Sequence, residues 1–469
     1  MKISAFFLIL LLITACNPLL PKNLEPPPSA PPTYMTEQPQ PAVRATDRWW
    51  QDFNDKQLNL LQEQLFSSNL SLRQAIHRLE QLEALQRVNH ARRLPNLNLG
   101  GSLGRSQNVS ASGETRVTAG SLSLAAGYEI DLWNRLKAGE QAAEFRILAG
   151  QAEVKALLLS LSAQLSEQYF LAVEQQAQLG LLEQQTQNSR ELLQIVSERY
   201  RAGLATAAEL YQARQNLATI ESQEPAYRTA LSQAENSIAL LLGQPPRSLT
   251  IKRQQLPELS QVIDLGLPAT LLTRRPDIAA TLLELEATDR DLAAALADRL
   301  PAFDLSATLG RSATRLAVGD YSGTFWNLTL GLLQPHYDGG RLKAVSDQQK
   351  AARAEQLALS TGKLLSAVEE VESALTAELH TAETATLLSQ RRDINQSNLE
   401  LLRHNYLRGL TDSSDLLSSE IDHLKILSQQ INNQRQWLSH RISLVRALGG
   451  TWMTDELSKQ RRALTTKRD

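Results

Sequence analysis

Arg93-Leu94-Pro95-Asn96-Leu97-Asn98-Leu99 returns as Arg299-Leu300-Pro301-Ala302-Phe303-Asp304-Leu305, 206 residues later. The same shift lays Leu103-Gly104-Arg105-Ser106 on Leu309-Gly310-Arg311-Ser312 and Arg135-Leu136-Lys137-Ala138 on Arg341-Leu342-Lys343-Ala344. It also lays Tyr200, Gly203 and Leu204 on Tyr406, Gly409 and Leu410, and Leu242-Gly243 on Leu448-Gly449. One shift that fits so many separated landmarks marks a tandem duplication. The copies run over residues 47–243 and 268–449, joined by a proline-containing connector, 244–267, and followed by a tail, 450–469.

Within each copy the hydrophobic period changes twice. A proline-free stretch from Asp52 to Arg93 carries Leu58, Leu61, Leu65, Leu72, Ile76, Leu79 and Leu82 at helical spacing. The second copy opens its helix at Arg274-Arg275-Pro276-Asp277-Ile278, where Pro276 suits a first turn because its missing N–H costs nothing there. The period then falls to two. Phe303, Leu305, Ala307 and Leu309 alternate with polar or small residues, as do Trp326, Leu328, Leu330 and Leu332. The first copy matches with Leu97, Leu99, Gly101 and Leu103, then Leu122, Leu124, Ala126, Tyr128 and Ile130. These are β-hairpins, 95–131 and 301–338, with strands of about ten residues, the length that crosses a bilayer when tilted. The polar stretches Gln107–Gly120 and Ala313–Gly323 read as their loops. A soluble half-buried hairpin pair would show the same alternation.

The longest period is helical again. Residues 340–406 contain no proline, and past Gly340 only Gly362 interrupts them. A helix of that length reaches about 100 Å, too long to fold back on a small hairpin domain, so it must project. Its counterpart is 134–200, and a return helix follows each turn, giving helical hairpins 134–242 and 340–448. On the second return, Leu417, Ile421, Leu424, Ser428, Ile431, Arg435, Leu438, Ile442 and Val445 form a heptad seam with polar interruptions at Ser428 and Arg435. Gly203 and Gly409 end the long helices in the left-handed conformation that glycine adopts most easily.

Composition removes several functions. Lys+Arg 48 against Asp+Glu 50 leaves net charge −2, with no basic excess for nucleic acid. The single cysteine excludes a disulfide within the chain and a Cys-built zinc site. Gly100-Gly101-Ser102-Leu103-Gly104 matches a G-x-S-x-G pattern but lies inside an alternating strand, not on a strand-to-helix turn. There is no HExxH and no phosphate-cradling loop, so neither an enzyme activity nor a metal or cofactor is expected.

The amino terminus reads as an address. An apolar run from Ala5 to Leu12 is too short to span a membrane and reads as a signal peptide, 1–15. Ile13-Thr14-Ala15-Cys16 is similar to a bacterial lipobox, which implies cleavage before Cys16 and lipidation of that residue; Asn17 in place of aspartate implies sorting to the outer membrane. Nine of the 18 prolines then fall between Pro18 and Pro41, a lipidated, proline-rich tether, 16–46, that builds no core.

Helix, β-hairpin, long helix, tight turn and return helix, duplicated behind a lipobox, resemble the TolC-type outer-membrane efflux channels, specifically their NodT-like lipoprotein subgroup. The most specific residues are Tyr128-Glu129-Ile130-Asp131-Leu132-Trp133-Asn134-Arg135-Leu136, Arg274-Arg275-Pro276-Asp277-Ile278 and Tyr337-Asp338-Gly339-Gly340-Arg341. Asn134 stands where the family usually has glycine, and both residues tolerate turns. The resemblance implies an α+β membrane protein: a homotrimer whose four strands per chain close a 12-stranded β-barrel. A long periplasmic α-helical barrel, with a small mixed equatorial region, continues it. It implies a passive exit duct in the outer membrane, lipid-anchored, working with a periplasmic adaptor (a membrane fusion protein) and an inner-membrane pump. Gly203, Leu204, Gly409 and Leu410 become adaptor-docking tips. Six residues past each glycine stand Glu209 and Asp415, with Asp412 beside the latter; if they face the lumen they form an acidic gate at the periplasmic end. Otherwise they are solvated helix-start acids favoured by the dipole. The competing function is a coiled-coil scaffold lipoprotein anchored in the outer membrane without a pore.

Overall fold

The shift that aligns the sequence with itself also aligns its secondary structure. The computed structural model describes residues 25–26, 28–36, 42–43, 48–110, 113–246, 251, 253, 255–258, 262–263, 268–316 and 319–465. The expected signal peptide and Cys16 lie outside the described residues. The long helices are α3, Arg135–Arg201, and α7, Arg341–Leu407, each of 67 residues and 206 apart. The hairpins are β2, Asn96–Ser110, with β3, Gly113–Glu129, and β5, Ala302–Leu316, with β6, Gly319–Leu333. Among the described residues no helix is long and apolar enough to cross a membrane.

Contacts divide the chain into two compact units. The first contains His77–Ala152 and Ala279–Gly362, and hence both hairpins. They merge into one antiparallel sheet of order β2-β3-β5-β6. The strands are longer than their alternation predicts, because residues read as loops remain paired: Gln107 faces Arg116, and Thr314 faces Tyr321. Ladder hydrogen bonds use the backbone, so a Ser, Gly, Asn and Thr-rich stretch sustains them without any apolar alternation. Below the sheet, Asp131 caps α3 by accepting from the Leu136 and Lys137 amides at 3.0 and 2.8 Å, and Asn134 takes a left-handed conformation with φ 57°. Asp338 does the same for α7, accepting from the Gly340 and Leu342 amides. The Trp133 indole donates to the Pro301 carbonyl at 2.7 Å, locking the end of the first hairpin to the start of the second.

The second unit contains Ser29–Ile76, Glu153–Ile278 and Lys363–Asp469. Here the opening helix is not continuous. It is α1, Lys56–Ser68, and α2, Leu70–Ala91, broken at Asn69. Asn69 is buried; its Oδ1 caps α2 by accepting from the Leu72 amide, and its Nδ2 donates to the Leu241 carbonyl at 2.7 Å. The second copy breaks at the equivalent residue, Arg275, between a single turn, Leu271–Arg274, and α6, Pro276–Ala297, as Pro276 predicts. Arg275 Nη1 donates to the equivalent carbonyl, Ala447, at 3.3 Å. Beside these contacts Gly243 and Gly449 have φ 68° and 77°. A Cβ on Gly243 would sit 2.6 Å from the Ser68 carbonyl oxygen, and one on Gly449 would strike the equivalent Arg274 oxygen. The same joint is therefore built twice.

The return helices differ. The second is a single helix α8, Ser413–Leu448, whereas the first divides into α4, Ala207–Glu221, and α5, Glu224–Leu241. Pro225 explains the break, since it has no N–H for the Glu221 carbonyl; Ile431 occupies its place in the second copy. The polar interruptions of the α8 seam have partners on α3. The Ser428 carbonyl accepts from Gln178 at 3.0 Å, and Arg435 pairs with Glu174 at 3.1 Å. The tail carries a helix: α9, Met453–Thr465, follows Trp452, which stacks edge-on to Trp50 at 4.8 Å. Phe66 packs on both indoles, and Phe53 packs on Phe170. This aromatic core fastens the chain end to the start of the first copy. The tether and connector meet as a two-residue parallel pair, β1, Ala42–Val43, with β4, Val262–Ile263, and the Met35 and Thr36 amides donate to Glu372.

Candidate functional site: hairpin tips and strand wall

Each long helix ends where its sequence predicts. The Gly203 amide donates to the Tyr200 carbonyl and the Leu204 amide to Arg199, at 3.0 and 2.8 Å. Gly409 and Leu410 repeat the pattern on Tyr406 and Asn405. Both glycines have φ 74°, the left-handed residue of a Schellman cap. Leu204 and Leu410 project into solvent, 69% and 70% exposed.

The two tips differ in detail. Tyr200 is partly open, but Tyr406 is buried in a cluster with Leu192, Val196, Ala213, Leu416 and Leu417, drawn from both hairpins. The Arg199 guanidinium lies over the Tyr406 ring at 4.9 Å and approaches its carbonyl at 3.4 Å, so a cation–π contact ties the first hairpin to the second. Sequence reasoning missed Arg199, because only packing brings residues so far apart in the chain together.

The three acids have different surroundings. Glu209 closes a capping box: Thr206 Oγ1 accepts from the Glu209 amide, and the Glu209 carboxylate accepts from the Thr206 amide, each at 3.2 Å. The Thr206-x-x-Glu209 spacing carries that signal in the sequence. Asp415 accepts from the Thr411 hydroxyl at 3.1 Å. Asp412 is the N-cap of α8, yet its side chain makes no capping hydrogen bond and stays exposed. A fourth acid was not foreseen. Burial pushes the Glu420 carboxyl up to about 7, against the opposing pull of Arg403.

The strand wall, in the other unit, has one apolar and one polar face. Leu97, Leu124, Ala126, Ala307, Leu309 and Leu328 share a face with Trp326. Trp326 is 77% exposed, and Leu328, Leu330 and Leu332 are each 64% exposed. Ser102 lies on the opposite face, its hydroxyl 2.8 Å from that of Ser121, inside the paired strand. Among the described residues, strands β2 and β6 each have only one neighbour in the sheet. An apolar face this extensive, with two unpaired edges, is incomplete in water.

Comparison with known proteins agrees. The profile of a family described as "Outer membrane efflux protein" matches residues 61–244 and 267–450. The pyoverdine export outer membrane protein OpmQ of Pseudomonas putida is 27% identical, covering 87% of this chain and 89% of that protein. Nodulation protein T of Rhizobium leguminosarum bv. trifolii is 27% identical over 79% of this chain and 81% of its own length. The solved structure of the outer-membrane channel OprN superposes with a TM-score of 0.85 at 25% identity, covering 93% of this chain and 99% of that one.

Proposed function

The chain belongs to the outer membrane efflux protein family, and on that premise we propose that three copies close one channel, which conducts small molecules passively from a periplasmic adaptor and an inner-membrane pump to the cell exterior. The observation that carries this reading is the four-stranded sheet with an exposed apolar face and two bare edges. In lipid an open edge leaves backbone groups without partners, so a wall of this kind must close on itself. Three chains supply twelve strands, within the even-numbered range of outer-membrane barrels. The 67-residue helices then carry the duct about 100 Å into the periplasm. Transport is downhill through the duct, and the pump supplies the energy.

Residues 95–131 and 301–338 are the membrane-embedded parts in this reading, with both turns at the outer surface. Cys16 carries the lipid. Gly203, Leu204, Gly409 and Leu410 form the adaptor-docking tips, supported by two equivalent caps that each present an exposed leucine. Asp412 and Asp415 are the main gate candidates. Glu209 joins them with its carboxylate already engaged by its own helix start.

Single cysteines at Ser110 and Gly319, which flank the two turns, test the topology in a background that keeps Cys16. Both should react with an impermeant thiol reagent on intact cells. Labelling only after the outer membrane is permeabilised contradicts it.

A further inference from the structure

The duplicated Leu-Gly-Arg-Ser motif is not explained by strand closure or by the turns. Arg105 and Arg311 stand five residues before the strand ends at Ser110 and Leu316. By alternation each lies on the apolar face, two residues beyond Leu103 and Leu309. The register sets Arg105 opposite Thr118, and Arg311 opposite Leu122 on one side and Thr324 on the other. Each guanidinium thus has a threonine hydroxyl in the neighbouring strand and leucines below it.

Charge on this face is confined to the half nearer the turns. It comprises Arg105, Arg116, Arg311, Arg315, Glu114 and Asp320. Arg116 pairs with Glu114 and Arg315 with Asp320, each at 2.9 Å. Arg105 and Arg311 are exposed and make no ion pair among the described residues. Eight residues separate Leu97 from Arg105 and Phe303 from Arg311. At about 3.4 Å each, and tilted by about 40°, they rise about 20 Å, against an apolar band about 25 Å tall. The side chains then reach the boundary between hydrocarbon and headgroups, on the leaflet nearer the turns.

A guanidinium at that boundary has no acceptor in acyl chains and is costly to leave unmatched. Its planar fork matches a phosphate bidentately, and an adjacent hydroxyl adds a donor. We propose that Arg105 and Arg311, with Thr118 and Thr324 beside them, bind the phosphate groups of the phosphorylated glycolipid in the outer leaflet. The inference rests on the reading of this wall as membrane-embedded under the proposed function.

The test uses the purified full-length protein in detergent, with lipid binding read by native mass spectrometry. Bisphosphorylated lipid A, the same lipid stripped of phosphate, and inorganic phosphate are the three probes. Lipid A should bind about tenfold or more tighter than the dephosphorylated lipid, a gap of one charge-assisted contact or more. Arg105→Gln with Arg311→Gln should remove that difference, Arg105→Lys with Arg311→Lys should keep part of it, and inorganic phosphate should not compete at equal concentration. Equal affinity for both lipids in the unmodified protein overturns the proposal, and so does full competition by inorganic phosphate, which would mark a free-anion site. The lipid comparison needs no variant, so it decides the matter even if the glutamine protein does not assemble. Quenching of Trp326 by brominated acyl chains separates the two readings. Quenching without phosphate preference overturns the lipid site alone, whereas no quenching overturns the membrane wall on which it rests.

Discussion

Gly449→Ala probes the joint that the duplication built twice. The added methyl requires an L side chain at φ 77° and drives a Cβ into the Arg274 carbonyl oxygen. With ψ −147°, that φ lies beside a backbone region essentially reserved for glycine, which costs about 1–3 kcal/mol, and overpacking against a backbone atom adds about 1–3 kcal/mol. A total of about 2–6 kcal/mol follows, because the Arg274 carbonyl belongs to the break before α6 and moves only with it. Gly243→Ala, with its contact to the Ser68 oxygen at 2.6 Å, should cost a similar amount. Gly203→Ala has nearly the same φ but nothing within 4 Å, so it should lose only the conformational part. Gly362→Ala, inside α7 with nothing within 4 Å, should gain about 0.5–1 kcal/mol. Far-UV circular dichroism melts of the four purified variants should rank them in that order. If Gly449→Ala melts with Gly203→Ala, the close backbone approach contributes nothing and the joint is not a structural constraint.

Cys16→Ala should abolish incorporation of labelled palmitate while channels still assemble, since the barrel is itself a membrane anchor; equal labelling of the variant contradicts the lipobox reading. Replacing Asp412 and Asp415 with alanine should raise single-channel conductance and weaken block by multivalent cations, and if both quantities match the unmodified channel these acids are not the gate. Glu420 makes the hairpin tip sensitive to pH. Its carboxyl is raised to about 7 by burial, so the folded tip holds a proton that the unfolded chain releases near 4.5. The resulting stabilisation is fully present at acid pH, declines as pH rises between these values, and is gone above about 7. The melt should therefore be higher at about pH 5 than at about pH 8, and Glu420→Gln should remove most of Glu420's share of that difference; an unchanged pH profile in the variant contradicts the assignment.

The long helices were legible because their evidence is local. A run without proline, ended by a glycine three residues past a tyrosine, fixes α3 and α7 almost to the residue. The strands were legible in position but not in length, since alternation stops where Gln107 and Ala313 begin while backbone pairing continues. The break at Asn69 was not legible. It depends on a hydrogen bond to Leu241, 172 residues away, whereas the second copy announces the same break through Pro276. At the tips, the caps and the Glu209 box follow from neighbouring residues. The Arg199–Tyr406 contact exists only once two hairpins pack together, and the raised Glu420 carboxyl only once packing buries it, so no local pattern could have marked them.

Single-channel recording of the purified protein in planar bilayers addresses the central claim most directly. A duct closed by three chains predicts discrete conductance steps that appear at protein concentrations where the trimer is intact and vanish when it is dissociated. A coiled-coil scaffold anchored in the outer membrane predicts none. An intact, membrane-inserted trimer that passes no current at either polarity, including with Asp412 and Asp415 replaced, would contradict the channel.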